Sequence, residues 1–299
     1  MSPFAGRLIF ILGLAIAAAA IVMLRRLWLP VAGHALPSIW RIAIITVSEA
    51  RRRRVLQAVI ALVALIMISM LFVAYLSPAE QSRMLISGGL SAITVFGILL
   101  SIFVAAFLIP QEIQNRTIYP ILAKPVRRFE FVIGKYLGAL IVLAFMVVVM
   151  TGVLVAVLLV SDHFVQDQPG SVFDPNIGKV VFAAAMNYCA LAVLTALIIL
   201  ISTVASTTMT IISAFIAWGL GSLQSTLLDS IQQTTGFAHL VLILFYNVVP
   251  KLENFDFRHE VANFMPINIV GAWQAVLHGA GYILVVLILA SLFFNDRQV

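Results

Sequence analysis

Several short stretches of this chain carry residue types that do chemistry. His259-Glu260 opens like the zinc-binding helix of a metalloprotease, where two histidines four apart hold the metal and the glutamate activates water. Position 263 should then hold the second histidine, and it holds Asn263. Gly134-Lys135 has the ending of a phosphate-binding loop, whose backbone N–H groups cradle a triphosphate. However, Tyr136 follows the lysine and no glycine stands five positions before Gly134. Trp218-Gly219-Leu220-Gly221-Ser222 lacks the spacing of a nucleophile elbow; its glycines read as sites of close helix approach. The single cysteine, Cys189, excludes an intramolecular disulfide and any multi-cysteine metal site. His278 is a lone imidazole in an apolar run and reads as a packing residue. No catalytic set, metal or cofactor site is assigned, and the chain has no ATP site of its own.

Residues 110–136 say most. Pro110, Pro120 and Pro125 break this segment into short stretches, because each lacks an N–H and restricts its predecessor. After Pro125, residues 126–136 suit a helix leading straight into the apolar run at 137–160. Glu112 and Arg116 are four apart, and an exposed pair at that spacing contributes only about 0.2–0.5 kcal/mol. Stability therefore does not explain them. Arg127, Arg128 and Glu130 offer charged contacts, and Phe129 and Phe131 apolar ones. Anchoring at a membrane surface accounts for the basic residues but not for Glu112, Glu130 or the proline spacing.

The elements that position this loop follow from composition. Of 299 residues, 63% are apolar and 10% charged, against about 25% charged in soluble domains. So few charges cannot cover a soluble fold, and so many apolar residues exclude disorder. The expected fold class is an all-α polytopic integral membrane protein. Runs at 55–76, 89–109, 137–160, 180–201, 207–228 and 267–294 contain no Asp, Glu, Lys or Arg, and each reaches the roughly 20 residues that cross a bilayer. Residues 8–24 read as an extra, uncleaved amino-terminal helix, because the Arg25-Arg26 cluster follows the apolar run. The 13 residues at 237–249 are short for a span and suit a re-entrant segment.

Charge sets the orientation. With residues 25–54 facing the cytoplasm, that side holds 13 basic and four acidic residues, and the outer side five basic and eight acidic. This is a strong positive-inside bias. It explains the net charge of +6 without nucleic acid. The amino terminus then lies outside, and the loop 110–136 and the carboxy terminus inside. Residues 38–54 form a different kind of helix. Leu36, Trp40, Ala43, Ile44 and Val47 make an apolar stripe opposite Arg41, Ser48, Glu49 and Arg52, as in a helix lying in the inner interface; the alternative is an inward extension of the first main span.

In this loop the chain resembles the permease subunits of type-2 ABC transporters. The matching pattern is Glu112-x-x-x-Arg116-Thr117-Ile118-x-x-x-Leu122-x-Lys124-Pro125-Val126-x-Arg128-x-Glu130-Phe131-x-x-Gly134-Lys135-x-x-Gly138. Val249-Pro250-Lys251-Leu252-Glu253-Asn254-Phe255 is similar to the segment before that family's last span, with Lys251 where Asn is usual. The resemblance covers residues 36–299 and leaves 1–35 as the extra helix and linker.

It implies a six-span permease core with an interfacial elbow at 38–54, in the cell inner (cytoplasmic) membrane. Two permease copies, identical or different, would pair with two separate ATP-binding subunits, and the assembly would export its substrate. The coupling loop 110–136 would meet the ATPase through Glu112, Arg116, Thr117, Lys124, Pro125, Arg127, Arg128, Phe129, Glu130 and Lys135. The alternative is a membrane anchor or assembly protein that organises partners without transport.

The orientation is checked by cysteine labelling in intact cells. A cysteine introduced at Ser171 is expected to react with an impermeant maleimide, and one at Gln114 is not. The reverse pattern overturns the assignment.

Overall fold

The computed structural model describes residues 38–52, 62–63, 65–66, 69, 81–108, 128–165, 177–224 and 249–296. The expected helix at 8–24, most of the span at 55–76, the loop as far as residue 127 and the segment 237–248 lie outside these residues. Among the described residues there are helices and turns and no strand. In chain order the helices are α1 (Ser38–Arg52), α2 (Gln81–Leu108), α3 (Arg128–Val165), α4 (Ile177–Val204), α5 (Thr207–Gly221), α6 (Arg258–Ala262) and α7 (Ile269–Asp296), with a 3₁₀ turn at Glu253–Phe255.

Four of these helices, α2, α3, α4 and α7, are long and apolar enough to cross a membrane. Each continues past the apolar run that marks it in the sequence. Arg83, Glu130 and Lys135 sit in helix where the hydropathy pattern ends. Long charged side chains are good helix formers, so charge ends the apolar run without ending the helix. With 38 residues and a rise of about 1.5 Å per residue, α3 exceeds the roughly 30 Å hydrocarbon core by a wide margin. Its ends therefore stand clear of lipid.

Of the expected span at 207–228, residues 225–228 lie outside the described residues, and the helix that opens it ends before them. Helix α5 has 15 residues and stops at Gly221. Ser222 closes it, donating its backbone N–H to Trp218 O at 2.9 Å and its hydroxyl to Gly219 O at 2.9 Å. The two glycines differ in kind. A Cβ on Gly219 would meet nothing within 4 Å, whereas one on Gly221 would lie 2.9 Å from Pro250 O. Gly221 thus admits the incoming chain at Pro250–Leu252, and Gly219 makes no such approach among the described residues.

Contacts between helix ends orient the bundle. Phe131 at the start of α3 stacks on Phe294 at the end of α7, with ring centroids 5.5 Å apart. At the opposite end, the starts of α2, α4 and α7 gather around residues 249–268. There Lys179 Nζ donates to Met265 O at 3.2 Å. Helix α4 is the hub: half of its residues are buried, and α2, α3, α5 and α7 all pack on it. Helix α7 is peripheral, with 17% of its most apolar stretch buried against 44–56% in the other three.

Helix α1 packs along the first part of α3. It buries Ile42, Ala43, Thr46, Val47 and Ala50, while Trp40 and Ile45 face outward. The apolar stripe expected around Trp40 is therefore rotated, because α3 selects the small side of the helix. Gly134 and Gly138 make that contact. A Cβ on Gly134 would lie 2.7 Å from Ile42 Cβ, and one on Gly138 would lie 2.6 Å from Thr46 Cβ and 2.9 Å from Ala43 O. The backbones touch only because two glycines four apart leave one face of α3 bare.

Overpacking a tight contact costs about 1–3 kcal/mol. The double variant Gly134→Ala/Gly138→Ala should accordingly unfold at lower temperature in detergent, followed by tryptophan fluorescence. Gly152→Ala, where a Cβ meets nothing within 4 Å, should be neutral or stabilising by up to about 1 kcal/mol.

Candidate functional site

Of the residues expected to form the docking loop, Glu112, Arg116, Thr117, Lys124, Pro125 and Arg127 lie outside the described residues. Arg128 is the first residue of α3. Phe129 is exposed, and Glu130 is half-buried in the first helical turn, where its charge complements the helix dipole.

Lys135 is a different case. Expected on the docking surface, it is 1% exposed and turned into the protein. Its Nζ lies 3.9 Å from Glu49 Oε2 of α1 and 5.8 Å from the centre of the Phe131 ring. A buried ammonium needs such partners, since desolvation without them is costly. Phe131, expected as an apolar anchor on the loop, is buried against Phe294. Phe131 and Lys135 are four apart and so share the inner face of α3. Phe129 and Glu130 remain on the accessible side.

Polar side chains tie the long helices together between their ends. Ser101 and Thr195 hydroxyls share a hydrogen bond of 2.8 Å between α2 and α4. Asn187 Nδ2 donates to Thr94 Oγ1 at 3.1 Å across the same pair. Tyr188 donates from α4 to Leu140 O at 3.2 Å, and Tyr136 from α3 to Ala192 O at 3.3 Å. None of these residues brings a carboxylate or a cation to the helix contact. The seam fixes helix rotation and offers no charge relay.

At the far end, Arg258 joins three parts of the chain. Its guanidinium donates to both carboxylate oxygens of Asp256, including Nε to Oδ1 at 2.7 Å, and to Ser91 Oγ of α2 at 3.2 Å. Partial burial works to raise the Asp256 carboxyl, but the hydrogen bonds and charge of Arg258 outweigh it and hold the group below the usual carboxylate range. The hydrogen bonds that Arg258 donates to Asp256 in turn raise Arg258 above its ordinary value.

Behind this pair, Thr94, Asn187, Trp218 and Ser222 line a cavity of about 150 Å³. A space of that size holds a benzene-sized molecule, well under the roughly 300–1,000 Å³ of drug-sized sites.

The histidine motif also finds its explanation. Asn263 donates its amide to His259 O at 2.7 Å and caps α6 where a metalloprotease would place a ligand. Among the described residues, no three His, Cys, Asp or Glu side chains converge on a metal position. Phe264 follows with a positive φ of 57°, the left-handed position after a helix that usually takes glycine.

Residues 40–299 match the family described as ABC-2 family transporter protein. The chain belongs to that family. No curated protein matches it significantly. Membership makes it a multi-pass membrane component of an ABC transporter, which works with an ATP-binding subunit. The internal position of Lys135 is the feature that the sequence reading missed. Gly134 and Gly138 were the available signal, since helix approach at a bare face carries the intervening lysine inward.

The Asp256 shift has a definite sign. A carboxyl held low in the fold stabilises it fully above the unfolded value, about 3.9, and loses that contribution as pH falls through the lower folded value. Asp256→Asn is therefore expected to lower the unfolding temperature at pH 7. The gap from the parent should close below about pH 3.9. A gap independent of pH overturns the assignment.

Proposed function

We propose that this chain is the permease of an ATP-driven exporter. It would form the membrane path as one of two permease copies and couple to a pair of separate ATP-binding subunits. In this reading the segment 110–136 lies in the cytoplasm of the inner-membrane system, and α1 is the interfacial elbow. The ATPase meets Glu112, Arg116, Thr117, Lys124, Pro125, Arg127, Arg128, Phe129 and Glu130. Lys135 acts one step behind that surface, as a positioning residue.

The supporting observation is the continuity of α3, which includes the last part of the segment 110–136 and runs unbroken from Arg128 to Val165. Force from a closing ATPase reaches the spans only through rigid contacts, since a slack connection absorbs the motion. Helix α3 supplies rigidity, and its contact with α1 at Gly134 and Gly138 makes the two helices move as one body.

The test is the double variant Arg128→Glu/Phe129→Ala, co-expressed with its ATP-binding subunit. Insertion and expression should stay near parental levels. Nucleotide-dependent transport should fall by about tenfold or more, the effect of losing about 1.4 kcal/mol at an interface. ATPase association should weaken, or hydrolysis should persist without transport. Parental assembly and transport would remove the coupling role, and assembly without any nucleotide-dependent transport in the parent would make the chain an anchor.

A further inference from the structure

One face of α7 departs from its lipid-like composition. Gln274 and His278 are four apart and line a cavity of about 490 Å³ with Asn254, Glu260 and Asn268. The cavity is open at the surface, and its volume overlaps the range of small-ligand sites, about 300–1,000 Å³. It is distinct from the space behind Arg258, and it brings together His278 and Glu260.

Its chemistry is specific. Three carboxamides line it, and a carboxamide both donates and accepts, as a hydroxyl group does. Asn268 Oδ1 already accepts the Gly271 N–H at 3.0 Å, which leaves its amide donors for the cavity. Glu260 adds a carboxylate to the lining. Phe257 forms an apolar wall, braced edge-on by Phe182 at 5.6 Å. Lys251 also lines the cavity but already has a partner within the chain. A phosphate would set its charge against Glu260, and an ammonium would leave the amide donors idle. Vicinal hydroxyl groups satisfy donors and acceptors together.

We propose that this cavity binds a ligand bearing vicinal hydroxyls, the saccharide portion of a lipid headgroup or a free saccharide. Lipid access is built in: Ile269, Val270 and Trp273, on the same turns of α7, are 64–72% exposed. The site does not depend on ATP-driven transport.

The experiment uses the full-length chain in phosphatidylcholine nanodiscs. Monoglucosyl diacylglycerol retention is measured by native mass spectrometry, and maltose binding by calorimetry. Selective retention of the glucosyl lipid assigns a lipid-borne headgroup, and maltose binding alone assigns a free saccharide; either supports the site. Gln274→Leu should weaken the observed binding by about tenfold, as one lost hydrogen bond does. Asn254→Ala, on the exposed turn, should weaken it in the same direction even if the first variant folds poorly. Retention of phosphatidylethanolamine equal to the glucosyl lipid, without maltose binding, overturns the proposal. So does binding that both variants leave unchanged.

Discussion

Everything at the Lys135 end of this protein depends on two backbones touching. Lipid is as apolar as leucine, so α1 and α3 gain nothing from hiding greasy surface from each other in the way soluble helices do. Close van der Waals contact replaces that force, and Gly134 and Gly138 make it possible. The same approach brings Glu49 to Lys135 and so allows an ammonium to be buried. It also turns Phe131 toward Phe294, which ties the last helix to the first turns of α3. A side chain on either glycine would part the helices and strand the lysine.

The middle of the bundle is organised by a different rule. Ser101, Thr195, Asn187, Thr94, Tyr136 and Tyr188 are all neutral, and each finds a partner across or within a helix contact. Hydrogen bonds of this kind set rotation and register without a charge to stabilise. Helix α4 can therefore serve as a hub that four neighbours share. None of these six side chains brings a charge to the helix contacts.

Much of this was legible beforehand. Apolar run length located the long helices, and the loop pattern around Glu112 to Gly138 pointed to the family. Helix ends were not legible, because hydropathy reports where lipid stops and Arg83 or Glu130 continue the helix regardless. The end of α5 was hidden in two glycines two positions apart, of which Gly221 meets Pro250 and Leu252. Lys135 was misread for a general reason. A lysine beside a membrane normally snorkels to water, and its partner Glu49 lies far away in sequence. Only the packing of α1 brings that carboxylate within reach.

The order in which these contacts become available follows the order of synthesis. Glu49, Gly134 and Lys135 all precede α4 in the chain, so the clamp between α1 and α3 can close while the ribosome is still making the hub. Chains generally fold from the amino terminus as they emerge. Phe294 and Arg258 arrive last, one closing each end of the bundle.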